Sequence, residues 1–262
     1  MPRADYEIDG NVAIVTGSER GIGRQVAERL TRIGVDVVVN GKHPDRLAAA
    51  EDALAGNDGD VLTVEADVSD PDATADLVER AVSAFGGVDL LVNNVGISGP
   101  VRPIQEVDHA EFMETLSVNL GGYFNAVKAS LPHLGEGDRV VNVASREGKA
   151  PSPHTLAYAS SKLGVVGFTR ALALELAPEG ITVNAVSPGP VEGPRLDAVL
   201  RDKAESQGRA FDDVREELAA QSPMDALVTA DDVADAVLFF CSRGTDAVTG
   251  QDLNVSAGRL ME

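Results

Sequence analysis

Val12-Ala13-Ile14-Val15-Thr16-Gly17-Ser18-Glu19-Arg20-Gly21-Ile22-Gly23 is the stretch that decides the fold. It opens with a short apolar run, the pattern of a strand covered on both faces. Glycines stand at 17, 21 and 23. From Ile22 onward the apolar residues recur at helical spacing, with Ile22, Val26, Leu30 and Ile33 on one face. A strand that runs through glycines into a helix aims the positive end of the helix at whatever lies over the turn. Glycines let main chain approach a pyrophosphate, so Gly17, Ser18, Arg20, Gly21, Ile22 and Gly23 are candidate dinucleotide contacts. The same turn, taken alone, also serves as a plain strand-to-helix connection.

Outward from this turn the rhythm repeats. Strands are expected at 12–16, 35–40, 61–65, 88–93, 139–144, 182–187 and 252–255. Helices are expected at 22–33, 44–54, 70–85, 108–134, 158–176, 196–207, 212–220 and 231–241. Strands separated by helices imply a parallel sheet with helices on both faces, and right-handed crossovers make the doubly wound α/β arrangement the natural solution. No repeat or linker divides the chain, so residues 1–262 read as one domain. Segment 188–223, rich in Pro, Gly and charge, is the least regular, and a substrate lid is expected there.

Composition sets further bounds. The chain has 42 acidic residues against 22 basic ones, a formal net charge of −20, yet 44% hydrophobic content, so the acidity does not signal disorder. Nucleic acid and anionic membranes are poor partners for such a field. A salt-rich cytosol would screen the self-repulsion, so adaptation to high salt is expected beside the plainer reading of an acidic protein. No run of apolar residues is long enough to span a membrane, and the N-terminus lacks a signal-type stretch. The single cysteine, Cys241, excludes an intrachain disulfide and fits a cytoplasmic setting. The four histidines are scattered, so no metal site is expected.

Three later motifs carry chemistry. Tyr158 and Lys162 stand four residues apart, which stacks them on one helix face. An ammonium beside a phenol favours the phenolate, a suitable proton carrier for a carbonyl oxygen at ordinary pH. Ser145, at the end of the 139–144 strand, can donate to the same oxygen, or simply cap a turn. Asn119 lies among apolar residues in a helical pattern and marks either a kink or the holder of a proton-relaying water. At the adenosine end, strand two runs into Asn40-Gly41-Lys42, with Gly41 where an acid would meet a ribose 2′-hydroxyl. Lys42 and Arg20 there suit the 2′-phosphate of NADP, with NAD as a further possibility; both are also explicable as surface charges. Asp67 and Val68 are candidates for the adenine edge, although an aspartate there also caps helices. Asn94 and Gly96, in Asn93-Asn94-Val95-Gly96, either line the ribose or make a turn.

This ordered set resembles the short-chain dehydrogenase/reductase family from about residue 9 to residue 258. The resemblance implies a Rossmann-type sheet of seven strands and, commonly, a homotetramer. It assigns the catalytic set to Asn119, Ser145, Tyr158 and Lys162, and nicotinamide contacts to Tyr158, Lys162, Pro188, Gly189 and Val191. Val95, Ala144 and Gly193 depart from the usual family residues, and the last bears on contacts between lid and cofactor. The activity implied is hydride transfer between NADP(H) and a ketone or secondary alcohol, of the 3-oxoacyl thioester type. A sugar or polyol dehydrogenase is the alternative, and a non-catalytic dinucleotide sensor stands in another class. Arg195, Arg201, Lys203 and Arg209 in the lid either meet a phosphate or pair with neighbouring acids.

Overall fold

A computed structural model describes residues 7, 8 and 10–261. The first half alternates β1 (Val12–Val15), α1 (Gly21–Arg32), β2 (Asp36–Gly41), α2 (Pro44–Leu54), β3 (Val61–Glu65), α3 (Pro71–Phe85) and β4 (Leu90–Asn93). Then come α4 (His109–Leu116), α5 (Gly122–Ser130), β5 (Arg139–Val143), α6 (Leu156–Leu176) and β6 (Thr182–Pro188). The chain closes with α7 (Pro194–Gln207), α8 (Phe211–Ala219), α9 (Ala230–Cys241) and β7 (Asp252–Val255).

The seven strands form one sheet in the order β3-β2-β1-β4-β5-β6-β7, and every pairing is parallel. Successive side chains of β1 go to opposite faces. Ala13 and Val15 pack with Val26, Ala27 and Leu30 of α1 and with Val233 and Val237 of α9. Ile14 packs on the other face with Leu77, Val78 and Ala81 of α3. Burial on both faces explains why β1 reads as an unbroken apolar run. Direction reverses between β1 and β4, since the chain fills one side of β1 first and the other afterwards. The connections after β1 and β4 part at that point and leave a crevice at the carboxyl ends of the strands.

Local signals explain most boundaries. Asp70 accepts from the main-chain nitrogens of Asp72 and Ala73 and starts α3, and Gly86, at φ 89°, ends it. Thr229 and Asp232 form a reciprocal capping box at α9. The expected continuous helix over 108–134 is instead α4 and α5 joined by a π turn, Ser117–Gly121, with a 3₁₀ turn at Leu131–His133. Asn119 lies inside that π turn, an irregularity at the place where the sequence pointed to a kink. Residues α7 and α8 build a small core of their own from Leu200, Ala204 and Val214. Among the described residues no helix is long and apolar enough to cross a membrane. The described residues also hold no cluster of three metal-ligating side chains.

Candidate active site

The turn after β1 is held by its neighbours. Asn94 Nδ2 donates to the carbonyls of Thr16 and Gly17, each at 3.0 Å. Gly17 and Gly21 lie at φ 61° and 60°, the left-handed region that favours glycine. Open space lies where a Cβ at Gly21 would project, so ligand has room at the crest of the turn. A Cβ at Gly23 would collide with Asn94 and with the Gly17 carbonyl, so this glycine serves close packing. The residues thus fit a dinucleotide, whose pyrophosphate the start of α1 would hold. Ser18 departs from its expected role. It is fully buried, its hydroxyl donates to Val15 O at 2.6 Å and accepts from Asn40 N, and it shapes the turn rather than facing ligand. Ile22 packs partly against the core.

At the adenosine end the structure adds an acid that the sequence reading missed. Glu19 reaches from the glycine turn to the end of β2. Its Oε2 accepts from the main-chain nitrogens of Lys42 and His43, both at 3.1 Å, and Arg46 pairs with Oε1 at 3.1 Å. A Cβ at Gly41 would stand 2.2 Å from that Oε2. Gly41 therefore lacks a side chain because a carboxylate from another segment fills its space. The expected absence of an acid beside Lys42 is corrected accordingly. Lys42 itself is exposed and pairs with the half-buried Asp67 at 2.5 Å, and Arg20 is exposed. Asp67 caps no helix; it bonds the main chain and hydroxyl of Ser69, and its carboxyl is held below the usual range although burial opposes this. Val68 is buried against Gly122 and its carbonyl accepts from Thr74 and Asn125, so its side chain belongs to the core.

The reacting end is built on α6. Tyr158 is half-buried, and Lys162 Nζ lies 6.0 Å from the centre of its ring. Lys162 is almost wholly buried; its Nζ donates to Val143 O at 2.8 Å and to the Tyr123 hydroxyl at 3.2 Å. Burial first, and the positive charge of Arg195 second, bring its pKa down to about 7. Tyr123 is fully buried, donates to Val143 O at 2.9 Å, and burial holds its phenol neutral. Tyr123 was not anticipated, yet it follows Asn119 by four residues, which was the available signal.

Ser145 follows β5 and is nearly buried. Its Oγ accepts from Glu147 N at 3.2 Å, which leaves the hydroxyl proton free to donate. Gly148 draws this turn onto α6, since a Cβ there would lie 2.6 Å from the nitrogen of Leu163 and 2.7 Å from the carbonyl carbon of Lys162. Asn119 is completely buried and its amide bonds within the protein at both ends. Its Oδ1 accepts from Ile97 N at 2.8 Å, and its Nδ2 donates to Ile97 O and to Ser161 Oγ, both at 2.9 Å. Its side chain thus ties the loop after β4 to α6. Gly96 lies beneath this tie, with Asn119 Oδ1 and Lys162 Nζ at 3.4 and 3.5 Å from the place of a Cβ. Pro188 ends β6, Gly189 packs tightly on Ser256, and Val191 forms a bridge with Val228.

The glycine turn, the Asn94–Gly96 loop, Ser145 and the 188–191 segment all lie at the carboxyl ends of adjacent strands, where an open α/β sheet binds its ligand. A family model described as enoyl-(acyl carrier protein) reductase matches residues 16–259. The chain belongs to the short-chain dehydrogenase/reductase family, whose members are dehydrogenases and reductases acting on CH–OH or carbonyl groups. It is 32% identical over 252 residues to the D-beta-hydroxybutyrate dehydrogenase of Rhizobium meliloti, covering 94% of this chain and 97% of that one. It is 31% identical over 252 residues to a 3-oxoacyl-[acyl-carrier-protein] reductase of Staphylococcus aureus, covering 95% and 98%. The L-sorbose reductase of Gluconobacter frateurii, solved with NADPH and L-sorbose, superposes with a TM-score of 0.93 at 26% identity, over 99% of this chain and all of that one.

Proposed function

We propose that the protein interconverts a ketone and a secondary alcohol of the 3-oxoacyl type, with Tyr158 Oη carrying the proton. The observation that carries this reading is the seating of Tyr158 beside a buried Lys162 on α6, with the Ser145 turn pressed onto the same helix through Gly148. The bound dinucleotide supplies or accepts the hydride. Ser145 Oγ donates to the substrate oxygen and holds it toward Tyr158. Lys162 stabilises the phenolate left when the proton departs. Asn119 fixes the loop through its side chain, and any relay water falls to its main-chain carbonyl, in the π turn that alters the local hydrogen-bond ladder. Gly17, Gly21, Asn94 and Gly96 seat the dinucleotide, and main chain at 188–191 faces its nicotinamide.

Residues 188–223 act as a lid over the substrate within a single domain. The 3-oxoacyl reading is supported by the hydroxybutyrate dehydrogenase and 3-oxoacyl reductase relatives, and the sorbose reductase keeps sugars as the second substrate class. Arg20 and Lys42 favour the 2′-phosphate of NADP, while Glu19 opposes it. The enzyme therefore uses NADP(H) with a modest preference and accepts NAD(H). The helix α6 is apolar on most sides, and Phe124, Leu163 and Leu174 are exposed on α5 and α6, which supports burial in a homotetramer. The charge of −20 supports operation in a concentrated-salt cytoplasm. Tyr158→Phe tests the mechanism: turnover is expected to fall by roughly 10²–10⁴-fold while NADPH still binds. Turnover within a factor of about two of wild type would remove Tyr158 as proton carrier.

A further inference from the structure

The lid cations do not share one fate. Lys203 and Arg209 both pair with Glu217, and Arg201 stacks on the ring of Phe211 at 5.3 Å. Arg215 pairs with Glu192. Their charges are answered by neighbouring acids or an aromatic face within the lid. Arg195 differs. It stands in the first turn of α7 with its guanidinium 5.7 Å from the centre of the Tyr158 ring, and its hydrogen bond goes to the neutral hydroxyl of Ser98, beyond β4. Among the described residues no carboxylate lies within ion-pair distance of it, in a chain where acids outnumber bases 42 to 22. Its field reaches the reacting centre, because it is the second cause of the lowered Lys162 pKa.

Arg195 is exposed, so water answers its charge in the open site; once a substrate displaces that water, the guanidinium bears on Lys162 unless an anion answers it. It lies beside the proton-carrying ring, so it reaches only substrate atoms a few bonds from the reacting carbon. A carboxylate fits the planar fork of donors, two of which engage both oxygens while Ser98 holds a third. We infer that Arg195 is the counter-ion of a substrate carboxylate, so that the enzyme takes 3-oxo and 3-hydroxy acids as free anions rather than as thioesters. This rests on the ketone/alcohol reading above and narrows it. Neutralising Arg195 with the substrate also relieves its push on Lys162, so the ammonium is favoured only when the correct substrate is in place.

The test compares 3-oxobutyrate, its methyl ester and a 3-oxobutyryl thioester with NADPH, in wild type, Arg195→Leu and Arg195→Lys. Wild type is expected to prefer the free acid. The leucine variant should raise KM for the acid by roughly 10–100-fold, the range for a lost hydrogen bond to charge, and the loss should be far smaller for the ester, so the acid-to-ester ratio of kcat/KM falls. Butyrate should inhibit wild type competitively and lose that effect in the leucine variant. The lysine variant should recover part of both. Unchanged NADPH affinity, read by its fluorescence, and an unchanged unfolding midpoint separate this from misfolding. Equal rates on acid and ester, or an equal loss on both in Arg195→Leu, overturns the carboxylate assignment and leaves the ketone-reductase reading standing. Turnover of aldoses with none of the 3-oxo compounds overturns both.

Discussion

Lys162 Nζ and the hydroxyl of Tyr123 lie 3.2 Å apart, in a part of the core where neither side chain reaches water. Tyr123 sits one turn beyond Asn119, just past the π turn, with its phenol directed at Lys162. The phenol stays neutral through burial, and its oxygen supports the charged form of Lys162. Tyr123→Phe removes that acceptor with little change in volume. The limb of the pH–rate profile that reports Lys162 should move to lower pH, with kcat down roughly 5–10-fold, the loss expected for one buried hydrogen bond. An unmoved profile with a lowered unfolding midpoint would make Tyr123 a packing residue alone.

The Glu19 carboxylate reaches the end of β2 from the glycine turn, where its charge would weigh against a 2′-phosphate. It holds the turn after β2 through Lys42 N and His43 N, in the space that a side chain at Gly41 would occupy. A 2′-phosphate held by Lys42 would feel this carboxylate, whose Oε2 accepts from Lys42 N. Glu19→Gln keeps an acceptor oxygen for the turn and removes the charge. NADPH should bind about tenfold tighter relative to NADH, as expected for one charge pair near a protein surface. Lys42→Asp should move the ratio the other way. Fluorescence titration of both dinucleotides reads each shift, and no change in Glu19→Gln would place the 2′ position away from this carboxylate.

How much of this was legible follows the range of the interactions. Strand and helix positions were readable because burial on two faces leaves runs such as 12–15 and 37–39 wholly apolar, and because Asp70 and Gly86 act within one turn. The positions of Tyr158 and Lys162 follow from local helical spacing. Glu19 at Gly41 was not readable, since it joins residues 22 apart through the turn of an intervening helix, and a glycine in sequence does not announce what fills its space. The π turn was hidden for the opposite reason. The apolar spacing around Asn119 is continuous, and only the bonds from its amide to Ile97 and Ser161 require the extra residue. The pairing of Lys203 and Arg209 with Glu217 was foreseeable as a class, whereas the separate orientation of Arg195 depends on how α7 leaves Gly193, at φ 141°.

The surface charge makes a prediction about solvent. Ion pairs on the lid and at Lys42–Asp67 are exposed and contribute little each. The excess of acids repels over the whole surface, and salt screens that repulsion within about 3 Å at molar concentration. Loss of the few exposed pairs is the smaller effect, so the unfolding midpoint should rise between about 0.1 M and about 3 M KCl. Sodium sulfate and a neutral osmolyte at matched water activity separate screening from general exclusion. An equal midpoint in both KCl concentrations would remove salt adaptation as the meaning of the charge.

Asp138 gives a pH-dependent stability far from the active site, before β5. It is partly buried, and burial, followed by the nearby charge of Asp89, raises its pKa to about 6, against the lowering effect of Gly135 N and Arg139. The folded state therefore holds a proton that the unfolded chain releases near pH 4. Between those values the native state binds more protons than the unfolded one, so stability falls as pH rises toward 6 and stays reduced above it. Asp138→Asn retains an oxygen for Gly135 N, bonded at 2.7 Å in the native turn, and abolishes the titration. Because Asp138 is partly solvated, the gain should be only about 1 kcal/mol after screening, or roughly 2–4 °C in Tm for a chain of this size. It should appear at about pH 8 and vanish below roughly pH 3, where the wild-type carboxyl is protonated in both states. A gain of equal size at both pH values would assign it to the amide's own contacts instead.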